Sequence, residues 1–192
     1  MRVEKLLSIN LIAKGYTQKE GIDYSEVFVP VARMDTVRIV ISSAAQRGLK
    51  IHQLDVKSAF LHGKLIEEVY VDQPKGYEKK GQEHYVYKLH KALYGLKQAP
   101  RAWYNRIEAH FVNEGFKRYD SEQTLFTKTG GEGKIVIVSL YVDDLIYTGD
   151  DDSVMLHFKN SMMKKFEMSV LGHMSYFLGI EVIQGSKGIF MC

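Results

Sequence analysis

Apolar residues recur along the chain with two distinct periods. Val37, Val40, Ile41, Ala44 and Ala45 stand at helical spacing behind Asp35 and Thr36, which can cap a helix running to about Arg47, and Gly48 stops it. Ala99, Trp103, Ile107 and Phe111 return every four residues and predict a second helix from about Ala99 to Glu114. Pro100 suits the first turn of that helix, where an amide has no helical partner, and Gly115 ends it. Its place in this stripe makes Trp103 a core residue rather than a base-stacking one. Met155, Phe158, Met162 and Phe166 mark a third helix, with Asp150, Asp151 and Asp152 at its start and Lys164 and Lys165 at its end. Acid first and base last complements the helix dipole, so those three aspartates need no metal to explain them.

The other apolar runs read as strands: residues 6–13, Lys50 to Val56, 66–72, 84–89 and 123–128, with Pro74 and Gly76 as turn signals between the third and fourth. Residues 175–183 and 188–191 read as a closing hairpin around Gly185 to Gly188. The strongest feature is Lys134 to Tyr147. Ile135 to Val142 leads into Asp143 and Asp144, then Leu145, Ile146 and Tyr147, and both faces of each arm are apolar, as in strands buried on both sides. Mixed helices and strands without a regular β-α-β period predict an α+β fold: a mainly antiparallel sheet with helices on one face.

Asp143 and Asp144 sit where the two buried arms meet. Adjacent carboxylates there repel and are poorly solvated, which is costly unless something neutralises them. One reading is a tight turn that exposes them; against it, neither Gly nor Asn follows, so the pair makes a poor two-residue hairpin turn. The other is a divalent cation, since Mg²⁺ prefers carboxylate oxygens. Asp55 ends an earlier predicted strand. If that strand neighbours the Asp143 hairpin, three carboxylates converge and could hold two metals roughly 3.5–4 Å apart, a geometry for phosphoryl transfer. Three aspartates in a chain of 192 residues can also be unrelated.

Composition narrows the class. Hydrophobic residues make up 45% and charged residues 26%, the proportions of a folded globular chain. The longest apolar stretch is far short of the roughly 20 residues of a membrane span, and no basic-then-apolar signal opens the chain. One cysteine, Cys192, excludes a disulfide framework and a thiolate zinc site and suggests a reducing compartment. The seven histidines show no metal-ligand spacing. The net charge of +3 is unevenly spread: residues 75–118 carry ten basic and four acidic side chains, residues 119–192 six and ten. A basic middle suits a polyanion, or simply a solvated helix face.

Six segments carry a resemblance over nearly the whole chain: Ala13 to Gln18, Pro30 to Arg33, Gln53 to Gly63, Leu93 to Trp103, Tyr141 to Asp144 and Tyr176 to Glu181. In content and order they resemble the reverse transcriptase of Ty1/copia-type LTR retrotransposons, especially plant copia elements. The resemblance implies a right-hand polymerase. Fingers would comprise about 1–50 and 64–92, the palm about 51–63 and 93–192, with thumb, connection and RNase H absent. It implies RNA-directed DNA polymerase activity: nucleotidyl transfer from a dNTP to a primer 3′-hydroxyl with two Mg²⁺ (or Mn²⁺). Asp55, Asp143 and Asp144 would be catalytic, and with the Val56 carbonyl would ligate the metals. Lys57, Ser58, Ala59, Phe60, Gly95, Lys97 and Gln98 would meet the nucleotide, Phe60 walling off the ribose 2′ side. Pro100, Arg101, Tyr141, Val142, Phe177, Leu178 and Gly179 would contact template and primer.

Partners implied are an RNA or DNA template with primer, the dNTP and the rest of a Pol polyprotein (RNase H and integrase). No membrane is implied, and the location would be the cytoplasm or a virus-like particle. Two departures stand out. Residues Ser8 to Ile12 lack the basic side chains the family has before Ala13, and the chain stops at Cys192, as a fragment of an insertion would. The alternative is therefore a truncated, inactive remnant that folds as a palm and at most binds nucleic acid. A palm-fold nucleotide cyclase would share the paired acids but not the Gly95 to Arg101 segment.

Overall fold

The computed structural model describes residues 12–192. In chain order its elements are α1 (Met34–Gln46), β1 (His52–Val56), β2 (Lys64–Asp72), β3 (Val86–Lys91), α2 (Ala99–Asn113), β4 (Lys117–Arg118), β5 (Leu125–Thr129), β6 (Ile135–Tyr141) and β7 (Asp144–Gly149). Then follow α3 (Asp152–Lys165), β8 (Met168–His173), β9 (Tyr176–Phe177), β10 (Ile180–Gly185) and β11 (Gly188–Met191). The fold is α+β and its named strand pairs are antiparallel. The expected strand over residues 6–13 lies outside the described residues except at its end, where Ile12 bridges Tyr94 in parallel.

The chain forms two compact units. One comprises residues up to Phe28 with Phe60–Trp103; the other comprises Val29–Ala59 with Tyr104–Cys192.

In the first unit β2 and β3 pair as a ribbon over a small core of Val69, Ala92, Leu96 and Ala99. Two glycines make this unit compact. A Cβ on Gly15 would lie 1.8 Å from the Gly95 carbonyl oxygen, and one on Gly95 would lie 2.1 Å from that of Ala13. The two backbone segments therefore touch where no side chain fits, and Gly95 also takes φ +93, a region open mainly to glycine.

In the second unit six strands stack in the order β4-β5-β6-β7-β1-β8. Successive strand residues face opposite ways, so Ile146 and Tyr147 report on the two faces. Tyr147 packs against Phe158 of α3, and Phe126 against Phe111 of α2. Ile146 instead joins Val37, Val40 and Ile41 of α1, together with Phe177 and Val182 of the β9-β10-β11 sheet. Helices thus cover both faces, which corrects the expectation of helices on one. The physical reason is the two-sided apolar pattern of β6 and β7: each face needs a cover.

Helix α2 follows its stripe: Ala99, Trp103, Ile107 and Phe111 are at most 1% exposed. Helix α3 is capped by Asp151, whose carboxylate accepts from the Ser153 and Val154 amides. Asp150 instead accepts from the Ile135 amide and pairs with Arg47. Neither Asp35 nor Thr36 caps α1. The helix opens at Met34 behind Arg33, so Asp35 falls inside the first turn near Arg38, and the Thr36 hydroxyl donates to Glu122.

Strand β8 had no sequence expectation. Its run is broken by Gly172 at φ +79, and the pairing with β1 shifts register between Gln53 and Leu54, leaving Leu171 as an extra residue.

Candidate active site

Strand β1 lies beside β7, and Asp55 stands directly opposite Asp144. The Val56 amide donates to the Asp143 carbonyl at 2.9 Å. In an antiparallel ladder this makes Asp55–Asp144 the closer, non-hydrogen-bonded kind of pair, Cα atoms about 4.5 Å apart and side chains on one face.

Asp143 occupies the hairpin between β6 and β7. Tyr141 pairs with Asp144, so the two-residue turn is Val142-Asp143. A tight turn therefore does form, one position earlier than the Asp143-Asp144 turn that the sequence disfavoured. Val142 takes φ 56 in it. A β-branched residue in that region is strained, and strain of this kind needs the surrounding structure to hold it.

The electrostatics follow from this crowding. Burial pushes the Asp55 carboxyl above its ordinary range, and the Asp143 charge adds to the shift. Burial likewise raises Asp144, with Asp143 and Asp55 adding to it, while a hydrogen bond from Gln53 opposes the rise. That bond runs from Gln53 Nε2 to Asp144 Oδ1 at 3.2 Å. As the side chains stand, no three His, Cys, Asp or Glu among the described residues gather closely enough to hold an ion. The backbone nevertheless sets Asp55 and Asp144 opposite one another on one sheet face, and with Asp143 they offer carboxylate oxygens of the kind Mg²⁺ takes.

The Tyr141 and Phe177 rings meet edge to face, centroids 6.5 Å apart. Leu178 and Gly179, both at positive φ, form the two-residue turn joining β9 to β10. After β1 the chain turns through Ser58 at φ 53. The Lys57 amide donates to the Glu167 carbonyl at 2.9 Å and its ammonium lies 3.5 Å from the Glu167 carboxylate. That amide is committed to the fold.

In the first unit, Phe60, Gly95, Lys97 and Pro100 line a pocket of about 480 Å³, joined there by Lys14 and Tyr16. Gln98 has a different place. It is 2% exposed, its Oε1 accepts from Gln18 Nε2 at 3.1 Å, and its own amide donates to the Asp23 carbonyl. Arg101 donates to the Phe28 carbonyl at 2.9 Å and pairs with Glu26. Both brace the segment 18–28 against the start of α2.

Gln53 and Tyr16 had no role from the sequence. The signal for Gln53 was its position two residues before Asp55, hence on the same strand face.

A sequence-family model described as "Reverse transcriptase (RNA-dependent DNA polymerase)" matches residues 3–192. The chain is 41% identical over 174 residues to the Retrovirus-related Pol polyprotein from transposon TNT 1-94 of Nicotiana tabacum, covering 91% of this chain and 13% of that protein. It is 41% identical over 181 residues to the Retrovirus-related Pol polyprotein from transposon RE2 of Arabidopsis thaliana, covering 94% of this chain and 12% of that one. A putative transposon Ty5-1 protein of Saccharomyces cerevisiae is 35% identical over 135 residues, 70% of this chain and 44% of the yeast protein. The chain thus spans about an eighth of the plant polyproteins it matches. No solved structure matches it. With a family match over almost its whole length and plant Pol relatives at 41% identity, this chain belongs to the reverse transcriptase (RNA-dependent DNA polymerase) family, in its copia-type branch.

Proposed function

We propose that the chain is the polymerase domain of a copia-type Pol polyprotein and extends a primer on an RNA or DNA template by nucleotidyl transfer from dNTPs. The observation that carries this reading is Asp55 opposite Asp144 with Asp143 in the adjoining turn. Reverse transcriptases work with divalent metal ions, and here Asp55, Asp143, Asp144 and the Val56 carbonyl would hold two Mg²⁺, with Mn²⁺ as a substitute. The chemistry such ions supply when bound is activation of the primer 3′-hydroxyl and stabilisation of the departing pyrophosphate. The protein's part is to keep carboxylate oxygens on one sheet face and to relieve their mutual repulsion only when cations arrive.

Within the same unit Tyr141, Val142, Phe177, Leu178 and Gly179 would bear on the primer, and Lys57, Ser58 and Ala59 on the nucleotide. In the other unit Phe60, Gly95, Lys97 and Gln98 would serve the nucleotide, and Pro100 and Arg101 the template. Phe60 would favour deoxynucleotides because a flat ring leaves no room for a 2′-hydroxyl. The right-hand division into fingers and palm, and a working partnership with the RNase H and integrase parts of a Pol polyprotein, belong to this proposal.

The test is dNTP incorporation on a primed RNA template with Mg²⁺. Asp143→Asn should lower the rate about 100-fold or more, since metal-mediated charge stabilisation supplies several kcal/mol. Equal signals from parent and variant would sink the reading. RNA binding that weakens with salt, without incorporation, would mark a remnant that only binds nucleic acid.

A further inference from the structure

Gln53, the second residue of β1, is buried, 8% exposed. A buried primary amide must find partners, and an apolar side chain would fill the place without that demand. Its neighbours on the ladder are Ile146 on β7 and Gly172 on β8, neither with a polar side chain. The amide reaches along the strand instead, and Nε2 donates to Asp144 Oδ1 at 3.2 Å. Asp144 therefore has one oxygen held by a neutral donor, and its rotation is fixed from the side away from the turn.

We propose that Gln53 is a positioning residue for the metal-binding acids: by holding Asp144 Oδ1 it orients the carboxylate so that the remaining oxygen lone pairs serve a divalent cation shared with Asp55 and Asp143. This rests on the reading of those acids as metal ligands. A donor behind a ligating carboxylate is the usual means of setting its direction, and losing such a partner typically weakens metal binding 10–100-fold. A neutral donor suits the task better than Lys or Arg would, because a cation at this place would neutralise Asp144 and compete with the metal.

The experiment measures Mn²⁺ binding to the 192-residue chain by electron paramagnetic resonance, without nucleic acid or nucleotide, alongside the Mg²⁺ concentration that half-saturates incorporation. Gln53→Met keeps the bulk and removes the donor. It should weaken Mn²⁺ binding about tenfold or more and raise the Mg²⁺ requirement in parallel. In an Asp144→Asn background, itself weakened, Gln53→Met should add little, because the residue it orients no longer ligates. Gln53→Leu gives the same comparison if the Met variant melts out.

Unchanged Mn²⁺ affinity in Gln53→Met, or the same loss in both backgrounds, overturns the proposal. If Asp55→Asn and Asp144→Asn also bind Mn²⁺ as the parent does, the metal reading itself falls and the positioning role falls with it. Normal losses in those two variants beside an unaffected Gln53→Met overturn the positioning role alone.

Discussion

Asp55 on β1 and Asp144 on β7 are direct partners across antiparallel strands, with Asp143 close enough to raise both carboxyls further than burial alone. A carboxyl whose pKa is raised by folding binds its proton more tightly in the native state. Its contribution to stability is present at low pH and declines as pH rises from the ordinary aspartate value through the folded one. At neutral pH, without metal, the cluster therefore opposes folding. Asp55→Asn and Asp144→Asn should melt higher than the parent at pH 7 by roughly 2–4 °C. The gap should close as the pH approaches 4, and Mn²⁺ should raise the parent's melting temperature more than the variants'. Thermal melts across pH decide it; variants melting below the parent at pH 7 would contradict the account.

Val142 sits at the first position of a two-residue turn with φ 56. Glycine adopts that angle without strain. Val142→Gly should hold or raise the melting temperature, by up to roughly 2–4 °C, while lowering the incorporation rate, because the turn that fixes Asp143 loosens. A variant that melts lower and polymerises as the parent does would show that the strain has no functional counterpart.

Gly95 and Gly15 are in backbone contact within the first unit, and a methyl group at either meets a carbonyl oxygen near 2 Å. Gly95→Ala should destabilise by about 1–3 kcal/mol, the scale of overpacking. Hydrogen exchange should locate the loss: amides within 12–28 and 60–103 exchange faster, those of β6 and β7 much less. Uniform acceleration across both units would refute a local origin.

His52 stacks on Tyr147 with ring centroids 5.2 Å apart and meets His173 edge-on at 4.9 Å. Burial lowers its pKa, with His173 and Lys159 adding to the shift and Asp152 opposing it. A histidine held below its ordinary value leaves the unfolded chain binding more protons, so stability falls as pH drops through about 6.5 toward the folded value. His52→Phe keeps a ring against Tyr147 and should flatten the acid limb between pH 6.5 and 5. Chemical denaturation at several pH values measures the slope, and an unchanged slope would assign acid sensitivity elsewhere.

Much of this arrangement was readable in the residues. The four-residue stripe through Trp103 gave α2, and the doubly apolar arms around Asp143 gave β6 and β7. Asp55 at the end of a short strand anticipated its neighbour. What escaped depended on partners distant in sequence. Strand β8 exists because β1 offers it an edge, and its own Ser169, Gly172 and His173 give no strand pattern. The fold contacts of Gln98 and Arg101 were equally illegible, because their companions Gln18, Asp23, Glu26 and Phe28 lie more than 70 positions away along the chain. The Val142-Asp143 turn defied the usual turn chemistry, which is where local preference gives way to tertiary demand.

Strand β1 has a neighbour on each side, β7 and β8, both made from the far end of the chain. On a ribosome, Asp55 would emerge with neither flank present and wait for 118 more residues, up to His173, before its strand could be enclosed. A site assembled that late is slow to form, and it depends on the chain being synthesised past His173.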